Sequence, residues 1–192
     1  FRNILQSIGI NMEKNKPLIV NLFGTTGSGK STTARHLTSE LVYAGVNACY
    51  VDEYAKHLVI RGNSHLLKHQ GTVFYKQHEN IINHIEMGYD VLVTDSPLFL
   101  SGFYGLKYGT ASKELLNIIF ETFKSYDNIN YFLERTFKYE NVGRVQDENE
   151  SDDDSKELID LLHEHRVYCE PVKSRRSTSP YILHLLLDKL GL

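Results

Sequence analysis

Eight consecutive residues, Gly24-Thr25-Thr26-Gly27-Ser28-Gly29-Lys30-Ser31, limit this chain more than any other stretch. Immediately before them, Pro17 to Phe23 is a short apolar, β-branched run bounded by Pro and Gly, which predicts a buried strand. After them, Ser31 to Gly45 sets Ala34, Leu37, Leu41 and Ala44 at helical spacing ahead of a glycine stop. Strand, glycine loop and helix in that order are the context required of G-x-x-x-x-G-K-S/T, the phosphate loop. The glycines let the backbone curl so that successive N–H groups, backed by a helix N-terminus, face an anion. On this reading ATP is the donor. Lys30 bridges its β and γ oxygens, Ser31 offers a hydroxyl to Mg²⁺, and Gly24, Thr25, Thr26, Gly27, Ser28, Gly29 and Thr32 complete the nucleotide-binding set.

The rest of the chain repeats the alternation. Val46 to Val51 predicts a second strand, Thr72 to Met87 an amphipathic helix carrying Val73, Phe74, Ile81, Ile82 and Ile85, and Asp90 to Thr94 a third strand. Ser101 to Gly109 is rich in Gly and Tyr and reads as a loop. Ser112 then caps a helix with Leu115, Leu116, Ile119, Phe120 and Phe123, followed by a strand at Ile129 to Leu133. Ser151 to His165 predicts a helix, Val167 to Val172 a last strand, and Pro180 to Leu190 a closing helix. Strands alternating with helices predict an α/β, three-layer fold around a mostly parallel sheet, with ligands at the carboxyl ends of the strands.

At 192 residues the chain fits a single domain, with residues 1–16 as an N-terminal extension and about 134–165 as a lid region. Twenty-one Lys and Arg against 24 Asp and Glu give a net charge of −3, so no global basic field draws nucleic acid. The two cysteines, Cys49 and Cys169, make neither a disulfide framework nor a metal knuckle, which predicts a reducing, cytoplasmic setting. No apolar run approaches the length of a membrane span, and the N-terminus lacks the order of a secretory signal. The nine histidines show no helical zinc-pair spacing, and no G-x-S-x-G elbow supports a serine hydrolase.

Acids fall at two predicted strand ends. Strand three runs into Asp95-Ser96-Pro97, which places Asp95 beside the phosphate loop as the metal-side carboxylate, with Ser31 the other metal ligand. No Glu follows Asp95, so the paired acids of a water-activating ATPase are missing. Strand two runs into Asp52-Glu53, where a carboxylate faces the phosphoryl acceptor. Either acid is suited to accept the proton of a hydroxyl acceptor, and Glu53 is taken ahead of Asp52. In the polar stretch from Glu134 to Glu150, Arg135 and Arg144 are placed to grip transferring phosphoryl oxygens, with Arg144 the transition-state residue.

These motifs resemble phage-type P-loop kinases of the AAA-family ATPase group, akin to the nicotinamide-riboside kinase domain of bacterial NAD-biosynthesis regulators. The likeness covers nearly all of residues 17–190 and rests on Val20 to Thr33, Asp52-Glu-Tyr-Ala-Lys56, Phe74-Tyr-Lys-Gln-His78, Thr94-Asp-Ser-Pro-Leu98 and Gly143-Arg-Val-Gln-Asp-Glu148. It implies that Glu53, Asp95 and Arg144 serve acceptor, metal and transition state in turn. Phe74-x-Lys76-Gln77 is also similar to the deoxyribonucleoside kinase helix whose Gln reads a base, which implies that Gln77 contacts the acceptor. Asp95-Ser96-Pro97 departs from the Glu-Arg-Ser of that family.

The reading that follows is a Mg²⁺-dependent transfer of the ATP γ-phosphoryl group to a hydroxyl or phosphate of a nucleoside, nucleotide or modified base. Lys30, Glu53, Asp95 and Arg144 are the catalytic set, and Asp52, Glu53, Gln77, Tyr104 and Arg135 the acceptor set. Some phage relatives imply a narrower acceptor, 5-hydroxymethyluracil within DNA. For that, Lys68, Lys76, Lys107, Lys113, Arg175 and Arg176 would line a local groove, with Tyr104 and Tyr108 stacking on a base. The competing class is a regulatory P-loop NTPase that signals to a DNA or protein partner.

Overall fold

A computed structural model describes residues 16–24, 26–136 and 148–192. The first strand, β1 (Leu18–Phe23), is buried along its whole length, which explains why it is apolar at every position but Asn21. Its side chains alternate between two cores. Ile19 and Phe23 enter one, and Leu18, Val20 and Leu22 enter the other. After the glycine loop comes α1 (Lys30–Tyr43), which buries Thr33, Ala34, Leu37 and Leu41. Ala44 caps that helix and is exposed, so it does not extend the buried stripe.

Next follow β2 (Ala48–Val51), α2 (Tyr54–Ile60), a 3₁₀ turn (Ser64–Lys68), α3 (Gln70–Glu86) and β3 (Val91–Thr94). Then come α4 (Phe99–Lys107), α5 (Lys113–Lys124), β4 (Asp127–Glu134), α6 (Glu148–Glu164), β5 (Glu170–Lys173) and α7 (Thr178–Leu190). The strands form one parallel sheet in the order β2-β3-β1-β4-β5. Helices cover both faces. α1 and α7 pack on Val20, Leu22, Val91 and Val93 through Leu37, Leu41, Ile182 and Leu186, while α3 to α6 cover the face of Ile19, Phe23 and Leu92.

Two registers place the site. Asn21 pairs with Thr94 and Val51 with Thr94, so β2 and β3 end level with each other, and the next residue of each is an acid, Asp52 and Asp95. On the other side of β1, Asn21 donates through its amide to Asn128 and Asn130 of β4, at 2.8 and 2.9 Å. Asn21 is only 2% exposed, so this amide ladder satisfies the one polar side chain in the central strand.

The Gly- and Tyr-rich stretch expected as a loop is the helix α4. Its glycines are there for contact distance. A Cβ on Gly102 would lie 2.4 Å from a ring carbon of Phe120, and one on Gly105 would lie 2.7 Å from Ala111. Close approach to α5 lets Phe99 join an aromatic cluster of tilted and edge-to-face rings, with Phe120 at 4.7 Å, Phe123 at 5.5 Å and Phe23 at 6.0 Å. Burial of that cluster outweighs the poor helix propensity of two glycines.

Replacing Gly102 with Ala forces α4 away from Phe120. Thermal or urea unfolding is expected to show a loss of about 1–3 kcal/mol, the usual range for overpacking, despite the gain in helix propensity.

Candidate active site

The loop after β1 owes its shape to local sterics. Gly24 has φ +131°, and a Cβ there would meet Ser28 Oγ at 2.6 Å and the Leu133 carbonyl at 2.9 Å. Gly29 caps α1 in the left-handed region, at φ 86°. Lys30 folds back over the loop and its Nζ donates to the Gly24 carbonyl at 2.7 Å. Ser28 Oγ is buried without a hydrogen-bond partner among the described residues. The loop thus presents an ammonium, a helix N-terminus and an unspent hydroxyl in one turn of chain, which fits an anionic ligand. Thr25 lies outside the described residues.

Asp95 continues β3 past its last sheet residue and is 1% exposed. One carboxylate oxygen accepts from Ser31 Oγ and the other from the Tyr50 hydroxyl at 2.9 Å. Ser31 therefore meets Asp95 across the gap between α1 and β3. A hydroxyl and a carboxylate are hard oxygen donors, so the pair fits Mg²⁺. Tyr50 is a residue that sequence reasoning missed. Burial, then the charge of Asp95 beside it, pushes its phenol well above the ordinary value. The Arg35 guanidinium lies 4.9 Å from the centre of its ring.

The two acids after β2 separate into different roles. Asp52 is turned toward helices α1 and α2, where its oxygens lie 2.6 Å from His57 Nε2 and 3.5 Å from Arg35. Partial burial works against its charge, but the Tyr50 hydroxyl and His57 outweigh it, and the carboxyl is held below its usual value. Glu53 behaves oppositely. Burial first, then the Asp95 charge, pushes its carboxyl above the ordinary 4.5, against the pull of Lys30 and Lys56. Of the two, Glu53 is therefore the stronger base, and it shares its surroundings with Lys30 and Asp95.

Gln77 is placed differently from its expectation on a base edge. It is 2% exposed, and both ends of its amide meet the main chain that brackets Glu53. Its Oε1 accepts from the Tyr54 N–H at 2.9 Å, and its Nε2 donates to the Asp52 carbonyl at 3.2 Å. Asn80, one turn on, donates to the same carbonyl at 3.3 Å. Gln77 and Asn80 thus hold the β2–α2 corner, and the expected base contact gives way to a positioning one. The signal was present in the spacing, since residues 77 and 80 share a helix face.

Tyr104 lies on α4 rather than in a loop, and half-buried there. Burial and the charges of Asp154 and Glu53 push its phenol up, while a hydrogen bond with Thr26 of the phosphate loop pulls it down. Tyr104 thus joins the acids and the loop in one cluster. Its ring stacks on Tyr108 at 6.0 Å and 6°. Thr32 is exposed on the first turn of α1, and Arg135 is half-buried just past β4. Arg144 and residues 137–147 of the expected lid lie outside the described residues.

The six basic residues expected to line a groove include two already committed to ion pairs. Lys76 Nζ lies 2.8 Å from Glu79, and Lys107 pairs with the buried Asp154 and with Glu157. No cluster of three or more metal-ligating His, Cys, Asp or Glu occurs among the described residues, and no described helix is long and apolar enough to cross a membrane.

With fold and site in view, the chain matches the family described as AAA domain over residues 19–178, and it belongs to that family. The fold is that of P-loop kinases. A NadR protein in complex with NR superposes with a TM-score of 0.69 at 15% identity, covering 93% of this chain and 53% of that one. A NadR protein in complex with NAD and AMP-PNP gives 0.62 at 15% identity, covering 93% and 51%. The chain thus spans about half the length of the NadR chains it matches. The thymidylate kinase from Ehrlichia chaffeensis gives 0.58 at 15% identity, covering 92% of this chain and 100% of that one. No curated protein matches the chain in sequence.

Tyr50→Phe removes one of the two hydroxyl donors to a buried carboxylate. Urea unfolding is expected to show a loss of about 1–3 kcal/mol, the cost of an unsatisfied buried acceptor, with the fold retained because Ser31 still holds the other oxygen.

Proposed function

We propose that this chain is an ATP-dependent phosphotransferase that moves the γ-phosphoryl group to a hydroxyl or phosphate of a nucleoside or nucleotide acceptor. The observation that carries the reading is the meeting of Ser31 and Asp95 at the phosphate loop with Glu53 beside them. A hydrolysing NTPase would carry its second acid next to Asp95, whereas here the proton-accepting carboxylate follows β2, which supports transfer to an acceptor over activation of water. The bound NR and AMP-PNP of the NadR neighbours and the name of the thymidylate kinase neighbour support the same class.

In the proposed reaction, the acceptor oxygen bonds to the γ-phosphorus as the bond to the β-bridging oxygen breaks, and ADP leaves. Glu53 takes the proton of a hydroxyl acceptor. The loop amides and Lys30 hold the donor phosphates, and Ser31 and Asp95 would hold Mg²⁺. Bound there, the ion would neutralise charge on the phosphate oxygens. Gln77 and Asn80 keep the Glu53 corner still, and Tyr104 keeps α4 against the phosphate loop. Arg135 and Arg144 are proposed for the transferring oxygens, and Tyr104 and Asp52 for the acceptor's surroundings.

Radiolabelled ATP, incubated with free nucleosides, monophosphates and DNA containing hydroxymethylated bases, tests the reading and identifies the acceptor. Lys30→Ala is expected to lower transfer by about 10²–10³-fold, as for loss of a charge-stabilising donor. Hydrolysis that ignores every acceptor but rises with DNA or protein would establish the regulatory class instead.

The raised Glu53 carboxyl also sets a pH dependence. A base works only when ionised, so kcat/KM for a hydroxyl acceptor is expected to fall as pH drops through a value above 4.5, the ordinary value for Glu. In Glu53→Gln the rate falls by about 10²–10⁴-fold and this acidic limb disappears. An unchanged limb in that variant would assign the proton to another group.

A further inference from the structure

Helices α2 and α3 enclose a cleft of about 320 Å³ that none of the phosphate loop, Glu53 or Asp95 lines. Tyr54, His57 and Arg61 face it from α2 and its cap, at spacings of three and four residues. Lys76, Glu79, Asn80 and Asn83 face it from α3, again along a single helix face. Each lining residue carries a polar or charged group, and the volume is at the small end of ligand sites.

The charges are lopsided. Glu79 is the only carboxylate in the lining and is already paired with Lys76 at 2.8 Å. Arg61 forms no ion pair among the described residues, so its guanidinium faces the cleft uncompensated. His57 adds a further donor and is held from behind by Asp52 at 2.6 Å. Around these groups stand Asn80, Asn83 and Tyr54, which add neutral polar groups to the lining. A planar fork, an ammonium and an imidazole converging with amide donors are the chemistry of a phosphate group.

We propose that this cleft is a second anion site, apart from the phosphate loop, that takes a small phosphate-bearing ligand. It sits directly behind the acceptor acid. His57 is shared between the cleft and Asp52, Asn80 between the cleft and the Asp52 carbonyl, and Tyr54 follows Glu53. An anion drawn to His57 acts on the same ring that meets Asp52, so occupancy is felt at the corner that carries Glu53. The proposal does not depend on the phosphotransferase reading.

Titration calorimetry of the full chain with pyrophosphate tests it. Binding is expected both in the presence of saturating Mg²⁺ and AMP-PNP and in Lys30→Ala, since neither touches the cleft. Arg61→Gln and Lys76→Gln, both at exposed or half-exposed positions where folding is not at stake, are each expected to weaken that binding about tenfold. The proposal is overturned if pyrophosphate does not bind, if binding is abolished by AMP-PNP or by Lys30→Ala, or if neither cleft variant alters it. Failure of the phosphotransferase reading shows up separately, as absent Lys30-dependent transfer in the radiolabel assay.

Discussion

A carboxylate sealed from water is costly unless both of its oxygens are met, and Asp95 is such a carboxylate. One donor comes from the first turn of α1 and the other from β2, so satisfying this single group ties the helix after the phosphate loop to two neighbouring strands. Much of the site depends on that knot. It fixes where α1 begins relative to the sheet edge, and with it the direction in which the loop amides point. Its negative charge also reaches Glu53, where it joins burial in raising the carboxyl. A group that positions the donor side therefore also tunes the acceptor side.

The sheet makes this economical. Parallel strands of matched length deliver their carboxyl ends to one edge, and the registers of β2 and β3 against each other and against β1 bring Asp52 and Asp95 level there without long loops. Neighbouring positions in sequence then take opposite roles. Asp52 turns to His57 and Arg35 and becomes a structural anion, whereas Glu53, one residue on, is enclosed with Asp95 and Lys30. The corner between them would be free to drift but for the two amides of α3 that grip its backbone.

How far this was legible varies with the range of the interactions. The phosphate loop, the strand before it and the helix after it are set by local chemistry and stand where their residues place them, as do the Ser31–Asp95 meeting and the Ser112 cap, whose side chain accepts from Leu115 N–H. The helix α4 was not legible, because its glycines are explained only by close contacts outside the helix, with Phe120 on α5 and with Ala111 in the turn before it. Gln77 shows the same limit. Its amide is suited to a base edge and to a backbone corner alike, and only the fold reveals that Tyr54 and Asp52 meet it first. Tyr50, hidden in a strand as one more aromatic residue, gains meaning only once β3 brings Asp95 beside it.

The amide ladder of Asn21, Asn128 and Asn130 bears on how the strands find their partners. Side chains on a strand repeat every two residues, so sliding β4 along β1 by two keeps every apolar face inward and costs little in burial. The slide that sets Phe132 opposite Asn21 takes Asn128 out of reach of that amide in the centre of the sheet, where no water can reach it. The ladder thus acts as a vernier mark between two otherwise smooth rails. It separates the correct alignment from that near twin by polar pairing, at the strand whose end carries the phosphate loop.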